Sequence, residues 1–527
     1  MTRDFHLPGR SPVYAREGMA ATSHPLASIA AIDILKAGGS AADAAVAAVA
    51  VLSVVEPAMT GIGGDCFCLV SKPDQPVWGY NGSGRAGARA TTEALIAKGV
   101  RSITQTSPHA VTVPGAVEAW GAILKAHGRF GFDQVLGHAI KHADEGFPVA
   151  PRVAIDWAEL AGKLKNSVGA TKYYLPGNKA PVTGDIMRLP ALAATLRAIA
   201  SGGARAFYEG PIAADIAATV EAAGGDLTLE DLARHTGEVA TPISTNYRGF
   251  DVVELPPNGQ GMIALILLNI LETFDLAKLD PNGPERYHLA LEAARLAFAV
   301  RGAHLADPAY MREPVAGFID KAFAKQLAGK LDPAKRVPMP KAPKPGSDTT
   351  YLTVVDRDRM AVSFINSLYS GFGTGICTEK TGVMLHNRGS GFVIDPEHPN
   401  TIAPGKRPMH TIIPAMAMRD GKCAMSFGVM GADYQPMGHT HIVTNMIDYG
   451  MDIQQAIDNP RMFYEGETSV VENGTPQATI DGLTARGHTV QRRVLPWGGG
   501  QAIQIDWDKG VLIGGSDPRK DGCAIGY

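Results

Sequence analysis

The sequence is poor in cysteine and in surplus charge of either sign. Its 527 residues include five cysteines and carry a formal net charge of −3 at pH 7. No two of these cysteines form a C-x-x-C pair, which argues against a metal knuckle or a disulfide scaffold and favours a reducing compartment. Apart from a short lysine-bearing linker there is no basic block, so we expect neither a nucleic-acid partner nor attraction to an anionic membrane surface.

Long hydrophobic runs are missing as well. The longest one, Ala44 to Val55, is interrupted only by Ser53, whereas about 20 apolar residues are needed to cross a bilayer. Ser40 and Asp43 have the spacing of a capping box, so the run predicts a buried, alanine-rich helix. The N-terminal segment has no apolar stretch ahead of a small-residue cleavage site. We therefore expect no secretory signal and a cytoplasmic location.

The chain contains a mixture of helical and strand periodicity. Helices are predicted at residues 190–201 and 213–223, a strand at Tyr247–Pro257, and a helix buried on all sides at Met262–Phe274. This order predicts sheets packed between helices. The glycines at 61–64 complete no nucleotide-loop spacing, so we predict a tight turn there and expect no cofactor.

A proline- and lysine-rich linker, Val337–Gly346, runs directly into a two-stranded pattern. The strand-forming runs TTYLTVVD and MAVSFINSL are joined by RDR, a normal length for a hairpin connection. If Asp356 faces Met360, paired residue numbers have a constant sum, and Thr349 faces Ser367. The register therefore predicts a hydroxyl opposite Thr349.

The predicted position of Thr349 is compatible with a role as a nucleophile. Breaking the bond between Asp348 and Thr349 would create a free α-amine beside the threonine hydroxyl. An α-amine with a reference pKa of about 8 can accept the hydroxyl proton at neutral pH, and the same hydroxyl can attack the preceding carbonyl to make the cut. From these residues alone two interpretations stay open: a nucleophile that becomes a chain end, and a β-branched residue that simply suits a strand.

Other groupings of reactive residues predict structural roles. His439 and His441 form an H-x-H, but the surrounding residues predict a helix, in which positions i and i+2 project to different faces. We therefore expect no metal site there. Asp356 and Asp358 are predicted to form the hairpin turn rather than an acid/base pair. Cys377 lacks a nucleophile signature and is predicted to pack in the core.

A series of short motifs resembles the gamma-glutamyltransferase family over nearly the whole chain. The C-terminal part contains SDTTYLTVVD, GFGTGI, GKRPMHTIIP, GVMG and GSDPR, and the N-terminal part contains AGGSAADAAVA, TGIGGD, TPISTNYRGF and LPPNGQG. The resemblance implies an N-terminal nucleophile hydrolase of the α+β class, built as a four-layer αββα sandwich. It also implies a precursor that cleaves itself into a large fragment, residues 1–348, and a small fragment, residues 349–527. The two fragments are expected to stay together as one structural unit, an αβ heterodimer, and further pairing of that unit is left open.

The resemblance also implies catalytic roles. Thr349 is the nucleophile, exposed by cleavage after Asp348, and Ser367 takes the place of a hydroxyl that orients it. Gly431 and Ala432 match paired glycines whose backbone amides form the oxyanion hole. The implied reaction is ping-pong acyl transfer, in which Thr349 attacks an amide carbonyl, releases the amine and passes its acyl group to water or another amine.

The implied substrate pocket departs from the family pattern. The family's Asn, Gln and Asp around the substrate α-ammonium are matched here by Tyr369, Arg388 and Gly391, so the ammonium loses its carboxylate partner. The Ser-Ser pair that holds the α-carboxylate is matched by His410 and Thr411. These changes predict a pocket for a small-molecule amide whose acyl group is acidic but need not be an amino acid.

The cations of this pocket and its short lid point in the same direction. Arg388, His410 and Arg85, which lies close to the position of the family's arginine, can bind an acid group through charge-assisted hydrogen bonds. NRGSGF and APGKRP resemble the branch that includes glutaryl-cephalosporin acylases, oxamate amidohydrolase and glutathione-hydrolase-like proteins. The segment from Phe392 to Pro404 is shorter than the lid loop of lidded members, which favours hydrolysis over transpeptidation.

Three hypotheses follow. The first is an amidohydrolase that cleaves γ-glutamyl amides such as glutathione. The second is the same machinery acting on a dicarboxylic monoamide, such as a glutaryl amide or oxamate. The third is an unprocessed relic of the fold without turnover, against which the intact hydroxyls of Thr349 and Ser367 and the intact linker argue.

Overall fold

The computed structural model describes residues 9–338 and 349–527. Asp348 and most of the predicted linker lie outside the described residues. Two seven-stranded sheets form the centre of the protein. We call the sheet that contains the strand Thr350–Val355 the first sheet, and the other one the second sheet.

Each sheet combines strands from distant parts of the chain, and all neighbouring strands in both are antiparallel. From edge to edge, the first sheet consists of Cys523–Gly526, Met19–Thr22, Thr350–Val355, Ala361–Ser367, Asp65–Ser71, Trp78–Gly82 and Glu238–Ala240. The second sheet consists of Val13–Ala15, Val511–Ser516, Gly500–Asp506, Lys422–Val429, Ala415–Arg419, Phe250–Glu254 and Ile243–Tyr247. A small three-stranded sheet consists of Met462–Glu465, Thr468–Val471 and Thr489–Arg492. A two-stranded sheet pairs Phe147–Pro148 with Ile186–Met187.

The α-helices fall into two groups along the chain. The N-terminal group comprises Pro25–Lys36, Ala41–Val55, Thr92–Ala97, Ala116–His127, Phe132–Val135, Gly137–Glu145, Pro151–Leu164, Val168–Tyr174, Pro190–Gly202, Arg205–Tyr208, Gly210–Ala222 and Leu229–Ala233. The second group comprises Gly261–Leu271, Pro284–His304, Val315–Phe318, Lys321–Ala328, Gln435–Ile447, Ile453–Asp458 and Gln477–Ala485. Short 3₁₀ turns span Pro108–Ala110, Pro176–Asn178, Leu276–Lys278, Pro308–Tyr310, Arg388–Gly391 and Ala432–Tyr434. In the described part of the chain no helix combines the length and the apolar character that a membrane crossing requires.

Three hydrophobic cores separate four layers. Side chains alternate across a strand, so Tyr351 faces the core between the two sheets while Leu352 faces the helices on the outer side of the first sheet. The buried helix Ala41–Val55 packs in that outer core, and Gly261–Leu271 packs in the equivalent core outside the second sheet. The predicted four-layer αββα sandwich of the α+β class is therefore confirmed.

The capping box predicted for the first long apolar run is present. Ser40 Oγ accepts the Asp43 amide at 3.2 Å, and Asp43 Oδ2 accepts the Ser40 amide at 2.7 Å. Asp356, predicted as a turn former, closes the hairpin by accepting the amides of Asp358 and Met360, each at 3.0 Å. Its second oxygen accepts the Ala41 amide at 2.9 Å, which joins the hairpin to the start of the buried helix.

One strand prediction is wrong in extent. Residues 247–257 are not a single strand, because Tyr247 ends one strand and Phe250 begins its antiparallel partner. Arg248 and Gly249 take positive φ values of 49° and 90°, the geometry of a two-residue hairpin turn. The predicted helices at 190–201 and 213–223 are confirmed, with bounds shifted by a few residues.

Candidate active site

The hairpin places Thr349 beside Ser367. Its strands pair with Thr350 opposite Asn366, so the predicted register is confirmed. Thr349 and Ser367 are both fully buried, and the Thr349 Oγ1 lies 3.1 Å from the Ser367 Oγ. Two hydroxyls at this distance share a hydrogen bond. The orientation of the Thr349 hydroxyl is therefore set by a residue of the same hairpin.

Gln435 supplies a second contact to the same hydroxyl. Its Nε2 donates to the Thr349 Oγ1 at 3.4 Å, and its Oε1 accepts the Ile413 amide at 2.9 Å, which fixes the side-chain amide. Gln435 begins the helix Gln435–Ile447. Sequence reasoning missed this residue. The one signal that pointed to it is its place at the start of a predicted helix, just after GVMG.

Gly431 and Ala432 form the turn that precedes this helix. Both have positive φ values, 123° and 47°. Glycine tolerates such a conformation, whereas a left-handed alanine costs about 1–2 kcal/mol. Among the described residues, neither amide N–H finds a hydrogen-bond acceptor. Two successive unpaired amides in a buried turn can bind an oxyanion.

A buried network holds this turn. Gln260 Nε2 donates to the carbonyl oxygens of Ala432 and Thr411, at 2.8 and 2.7 Å. Arg301 Nη1 donates to the Gln260 Oε1 at 2.6 Å and is ion-paired with Asp433. The side chain of Gln260 therefore joins the Gly431–Ala432 turn to the segment that carries Thr411. This link stabilises the left-handed alanine.

Arg388 is a buried cation with unused donors. Its Nη1 donates to the Thr411 Oγ1 at 2.8 Å. Its Nε and Nη2 are buried and have no hydrogen-bond partner among the described residues. Burial lowers the pKa of Arg388 to about 10, so the guanidinium stays charged at neutral pH. Each buried donor without a partner costs about 1–3 kcal/mol, which an anionic ligand would offset.

Tyr369 links Arg388 to the nucleophile. The Arg388 guanidinium lies 4.1 Å from the centre of the Tyr369 ring, a cation–π contact. The Tyr369 amide donates to the Ser367 Oγ at 2.8 Å. Tyr369 has a φ of 77°, a conformation that is rare for a bulky residue and concentrates at functional sites. Thr349, Ser367, Tyr369 and Arg388 are therefore connected through successive contacts.

Comparison with known proteins supplies the family. The profile of the Gamma-glutamyltranspeptidase family matches residues 27–527. The chain belongs to the gamma-glutamyltranspeptidase family. It is 40% identical over 530 residues to the glutathione hydrolase-like YwrD proenzyme of Bacillus subtilis (strain 168), with 98% of this chain and 99% of the relative covered.

Further relatives agree with the branch that the motifs indicated. The chain is 36% identical to the oxamate amidohydrolase proenzyme of Klebsiella pneumoniae over 528 residues, which cover 97% of this chain and 98% of the relative. The crystal structure of cephalosporin acylase from Bacillus halodurans is similar with a TM-score of 0.94 and 39% identity, over 100% of this chain and 99% of that one. The predicted family and fold are confirmed, and the chain is an amidohydrolase of the gamma-glutamyltranspeptidase family.

In this gamma-glutamyltranspeptidase-family enzyme, His410 is engaged by the protein itself. Its Nδ1 accepts the Ile412 amide at 3.3 Å, and its Nε2 lies 3.0 Å from the Asp65 Oδ2. Because Nδ1 accepts a proton donor, the proton of the neutral ring sits on Nε2 and is donated to Asp65. Burial and the nearby Arg388 lower the pKa of His410 to about 3. Both ring nitrogens of this predicted substrate-binding residue therefore have protein partners.

Asp65 is the anion of this buried cluster. Besides His410, it accepts the Gly84 amide at 3.0 Å and the Gly115 amide at 3.3 Å. The His386 Nδ1 lies 3.4 Å from its Oδ2. Burial alone would raise the pKa of Asp65, but His386 and His410 bring it well below its ordinary value. The ionised carboxylate of Asp65 therefore acts electrostatically on the nearby Arg388.

Arg85 is not brought to Arg388. Its Nη1 donates to the Gly405 carbonyl at 3.0 Å, and its guanidinium lies 3.6 Å from the carboxylates of Glu238 and Asp307. Its side chain is 40% exposed and lines a cavity that shares no lining residue with the cavity at Thr349. The short sequence offset between Arg85 and the family's arginine is enough to direct its side chain elsewhere.

The remaining candidates have structural partners. His439 Nδ1 lies 2.6 Å from the Glu254 Oε1, and His441 Nε2 lies 3.3 Å from the Asn459 carbonyl. Cys377 is buried in the outer core of the first sheet, as predicted. Within residues 9–338 and 349–527, no group of three or more His, Cys, Asp or Glu side chains is arranged to hold a metal ion.

Proposed function

We propose that this enzyme is an autoprocessing N-terminal-threonine amidohydrolase that cleaves a monoamide of a dicarboxylic acid, such as a glutaryl amide or oxamate. The observation that carries this proposal is the buried guanidinium of Arg388, whose Nε and Nη2 have no partner among the described residues. A substrate carboxylate would supply both missing acceptors through charge-assisted hydrogen bonds.

A pocket for an α-ammonium group is less well supported. Position 391 is a glycine and offers no carboxylate. The carboxylates that act electrostatically on Arg388 are Asp65 and Asp433, and they are engaged with His410 and Arg301 respectively. A substrate ammonium buried beside Arg388 would therefore face a like charge, which costs several kcal/mol.

Maturation begins with Thr349 in this proposal. Its Oγ attacks the carbonyl of Asp348, the bond between that carbonyl and the Thr349 nitrogen breaks, and the nitrogen leaves as an amine after taking up a proton. Water then hydrolyses the resulting ester, which frees the backbone α-carboxylate of Asp348 and restores the Thr349 hydroxyl. Residues 1–348 and 349–527 become separate fragments.

The sheet order supports the expectation that the two fragments remain associated. In the first sheet, Thr350–Val355 pairs with Met19–Thr22, and Ala361–Ser367 pairs with Asp65–Ser71. In the second sheet, Ala415–Arg419 pairs with Phe250–Glu254. Cutting the chain before Thr349 breaks none of these ladders, so the fragments would form one αβ unit.

Turnover uses the same groups. The free α-amine of Thr349 accepts the proton of its own hydroxyl, and Oγ attacks the substrate carbonyl. The amides of Gly431 and Ala432 stabilise the negative oxygen of the tetrahedral intermediate. The amine leaves with a proton, and water hydrolyses the acyl-threonine ester to regenerate the enzyme.

A series of contacts connects the residues assigned to the acyl pocket. It passes from Ser367 through Tyr369 and Arg388 to Thr411, and Gln260 connects Thr411 back to Ala432. In this proposal the acyl chain extends from Thr349 towards Arg388 along these residues. His410 and Asp65 bind each other and do not contact the acyl group. Arg85 plays no part in binding the acyl group.

A pair of chromogenic amides tests the substrate class. We expect glutaryl-4-nitroanilide to be hydrolysed with a kcat/KM at least about tenfold above that of γ-glutamyl-4-nitroanilide, because only the second carries the unpaired ammonium. Butyryl-4-nitroanilide, which has no acid group, is the control for the role of the carboxylate. A preference for the γ-glutamyl amide would contradict this proposal and favour activity on glutathione-like amides, in keeping with the name of the 40%-identical relative.

A further inference from the structure

The two histidines of the H-x-H motif lie on the helix that begins at Gln435 and contact different parts of the protein. His439 Nδ1 lies 2.6 Å from the Glu254 Oε1, whereas His441 Nε2 lies 3.3 Å from the Asn459 carbonyl. Both histidines are buried. His439 follows Gln435 by about one helical turn, so it lies on the same side of the helix as the residue that contacts the nucleophile hydroxyl.

The hydrogen bond between His439 and Glu254 is isolated from other polar groups. Both side chains are fully buried. Among the described residues, neither the Glu254 Oε2 nor the His439 Nε2 has a further hydrogen-bond partner. A buried polar group without a partner costs free energy, so the loss of either residue would leave the other uncompensated. Each of the two therefore holds the other in place.

This pair fixes the helix over one row of residues in the second sheet. Ala415 pairs with Glu254 on one neighbouring strand and with Phe427 on the other. Residues that pair across antiparallel strands have their side chains on the same face of the sheet. The His439 ring reaches both ends of the row, because its centre lies 5.2 Å from that of the Phe427 ring and its Nδ1 contacts Glu254.

The contact between Gln435 and the nucleophile depends on the same row. Gln435 Oε1 accepts the Ile413 amide at 2.9 Å, and its Nε2 donates to the Thr349 Oγ1 at 3.4 Å. One side chain can make both contacts only if the start of the helix keeps its distance from the segment that carries Ile413. Glu254 controls this distance, because it pairs with Ala415 at the end of that segment and also holds the helix.

Close packing leaves the helix little freedom to compensate for a displacement. A Cβ added at Gly438 would lie 2.4 Å from the Val429 Cγ2 and 2.8 Å from the Tyr434 Cε1. The helix backbone therefore lies directly against the strand Lys422–Val429. In an interior packed this closely, a shift at His439 is transmitted to the first turn of the helix.

We propose that Glu254 and His439 are positioning residues whose hydrogen bond sets the place of Gln435 and, through it, the orientation of the Thr349 hydroxyl. The inference rests on the proposed function, in which Thr349 is the nucleophile, and adds to it a determinant of the rate that lies outside the acyl pocket. The bonds made and broken at Thr349 are unchanged, because the pair acts only through the position of the Gln435 amide.

Removing both partners together avoids leaving a buried polar group. In the pair variant, Glu254→Leu/His439→Leu, apolar side chains replace both, so the fold is expected to be retained. We expect kcat on glutaryl-4-nitroanilide, measured per processed molecule, to fall about tenfold while KM changes less than about threefold. His439→Asn keeps a donor close to the position of Nδ1 and should retain most of the kcat.

A double-mutant cycle distinguishes positioning from general destabilisation. Gln435→Met keeps the length of the side chain but removes its amide. If the pair acts through Gln435, adding the two leucine substitutions to Gln435→Met should lower kcat no further. Independent effects would instead multiply, and a kcat reduced by the product of the two separate losses would overturn the inference.

His441→Leu is the matched control, because His441 is buried in the same helix but contacts Asn459 instead of Glu254. This variant should have a lower melting temperature with an unaltered kcat per processed molecule. An equal loss of kcat in His441→Leu and in the pair variant would show that any disturbance of this helix impairs the site, and would contradict a specific role of the pair.

Crystal structures of the variants separate the inference from the proposed function. In the pair variant the Gln435 Nε2 should move away from the Thr349 Oγ1, whereas His441→Leu should keep the wild-type distance between these atoms. This comparison needs no turnover. If no glutaryl amide is hydrolysed, the proposed function fails, and the structures still decide whether the pair positions Gln435. An unmoved Gln435 in the pair variant would contradict the inference directly.

Discussion

The Oγ atoms of Thr349 and Ser367 lie 3.1 Å apart in the buried hairpin. The Ser367 Oγ also accepts the Tyr369 amide at 2.8 Å, which restricts the rotation of the serine hydroxyl. Both residues lie on the C-terminal side of the predicted cleavage bond. The contact is therefore retained whether or not the chain is cut, and it can orient Thr349 both during maturation and during turnover.

Removing the serine hydroxyl tests this orienting role. We expect Ser367→Ala to lower kcat about 10- to 100-fold with a smaller change in KM, because Ser367 orients the nucleophile and does not itself bind the acid group of the substrate. Ser367→Thr keeps the hydroxyl and should retain most of the activity. Steady-state kinetics on glutaryl-4-nitroanilide measure both. Equal loss in the Ala and Thr variants would show that the packing at this position matters and the hydroxyl does not.

Arg388 is predicted to bind the acid group in the acyl half of the substrate. Arg388→Gln should raise KM for glutaryl-4-nitroanilide about tenfold or more, since a charge-assisted hydrogen bond is lost. The KM for butyryl-4-nitroanilide should change little. Arg388→Lys keeps the charge but not the fork geometry, so its KM for glutaryl-4-nitroanilide should lie between those of the wild type and Arg388→Gln. An unchanged KM for the acidic substrate would place the acyl pocket elsewhere.

Gln260 is predicted to hold the oxyanion turn without touching the substrate. Gln260→Met matches the side-chain volume but removes the donors to Ala432 and Thr411. We expect kcat to fall about tenfold or more while KM for the glutaryl amide changes less, because misplaced oxyanion donors act on the transition state. Thermal unfolding measures any purely structural effect. A lower melting temperature with an unaltered kcat would contradict the positioning role.

His410 is predicted to make folding stability depend on pH. Burial lowers the pKa of His410 to about 3 in the folded protein, against about 6.5 for an unfolded histidine. Between these values the unfolded chain binds more protons, so the contribution of His410 is fully present above the unfolded pKa and is lost as pH falls, at about 1.4 kcal/mol per pH unit.

Urea unfolding at several pH values between about 4 and 6 measures this slope. In His410→Gln the free energy of unfolding should fall less steeply with decreasing pH. A residual slope is expected from His24 and His235, because burial lowers the pKa of each to about 4. Identical slopes in the wild type and the variant would mean that His410 is charged in the folded protein.

Features determined by neighbouring residues could be predicted from the sequence. The hairpin register follows from a three-residue connection and period-two alternation, and it places Ser367 opposite Thr349 as found. The capping box at Ser40 and the buried helix Ala41–Val55 follow in the same way. The turn at Arg248 and Gly249 was missed because its flanking residues continue the strand pattern on both sides.

Features that depend on contacts between distant segments could not be predicted from the sequence. Gln435 and Gln260 bind Thr349 and the oxyanion turn across separations of 86 and 172 residues, and neither lies in a pattern with a chemical signature. The position of Arg85 matched a family arginine closely, yet a small offset places its guanidinium against Glu238 and Asp307. The hydrogen bond of the His410 Nε2 likewise depends on Asp65, which is 345 residues away and begins the strand Asp65–Ser71.

The central claim is that Thr349 becomes the N-terminal nucleophile of a small fragment, and intact-mass analysis of the purified protein tests it most directly. We expect two chains, of which the smaller begins at Thr349, and a single full-length chain without activity for Thr349→Ala. A wild-type protein that remains one unbroken chain of 527 residues would contradict the account and favour an unprocessed relic of the fold. Two fragments broken at the same bond in Thr349→Ala would equally exclude Thr349 as the group that makes the cut.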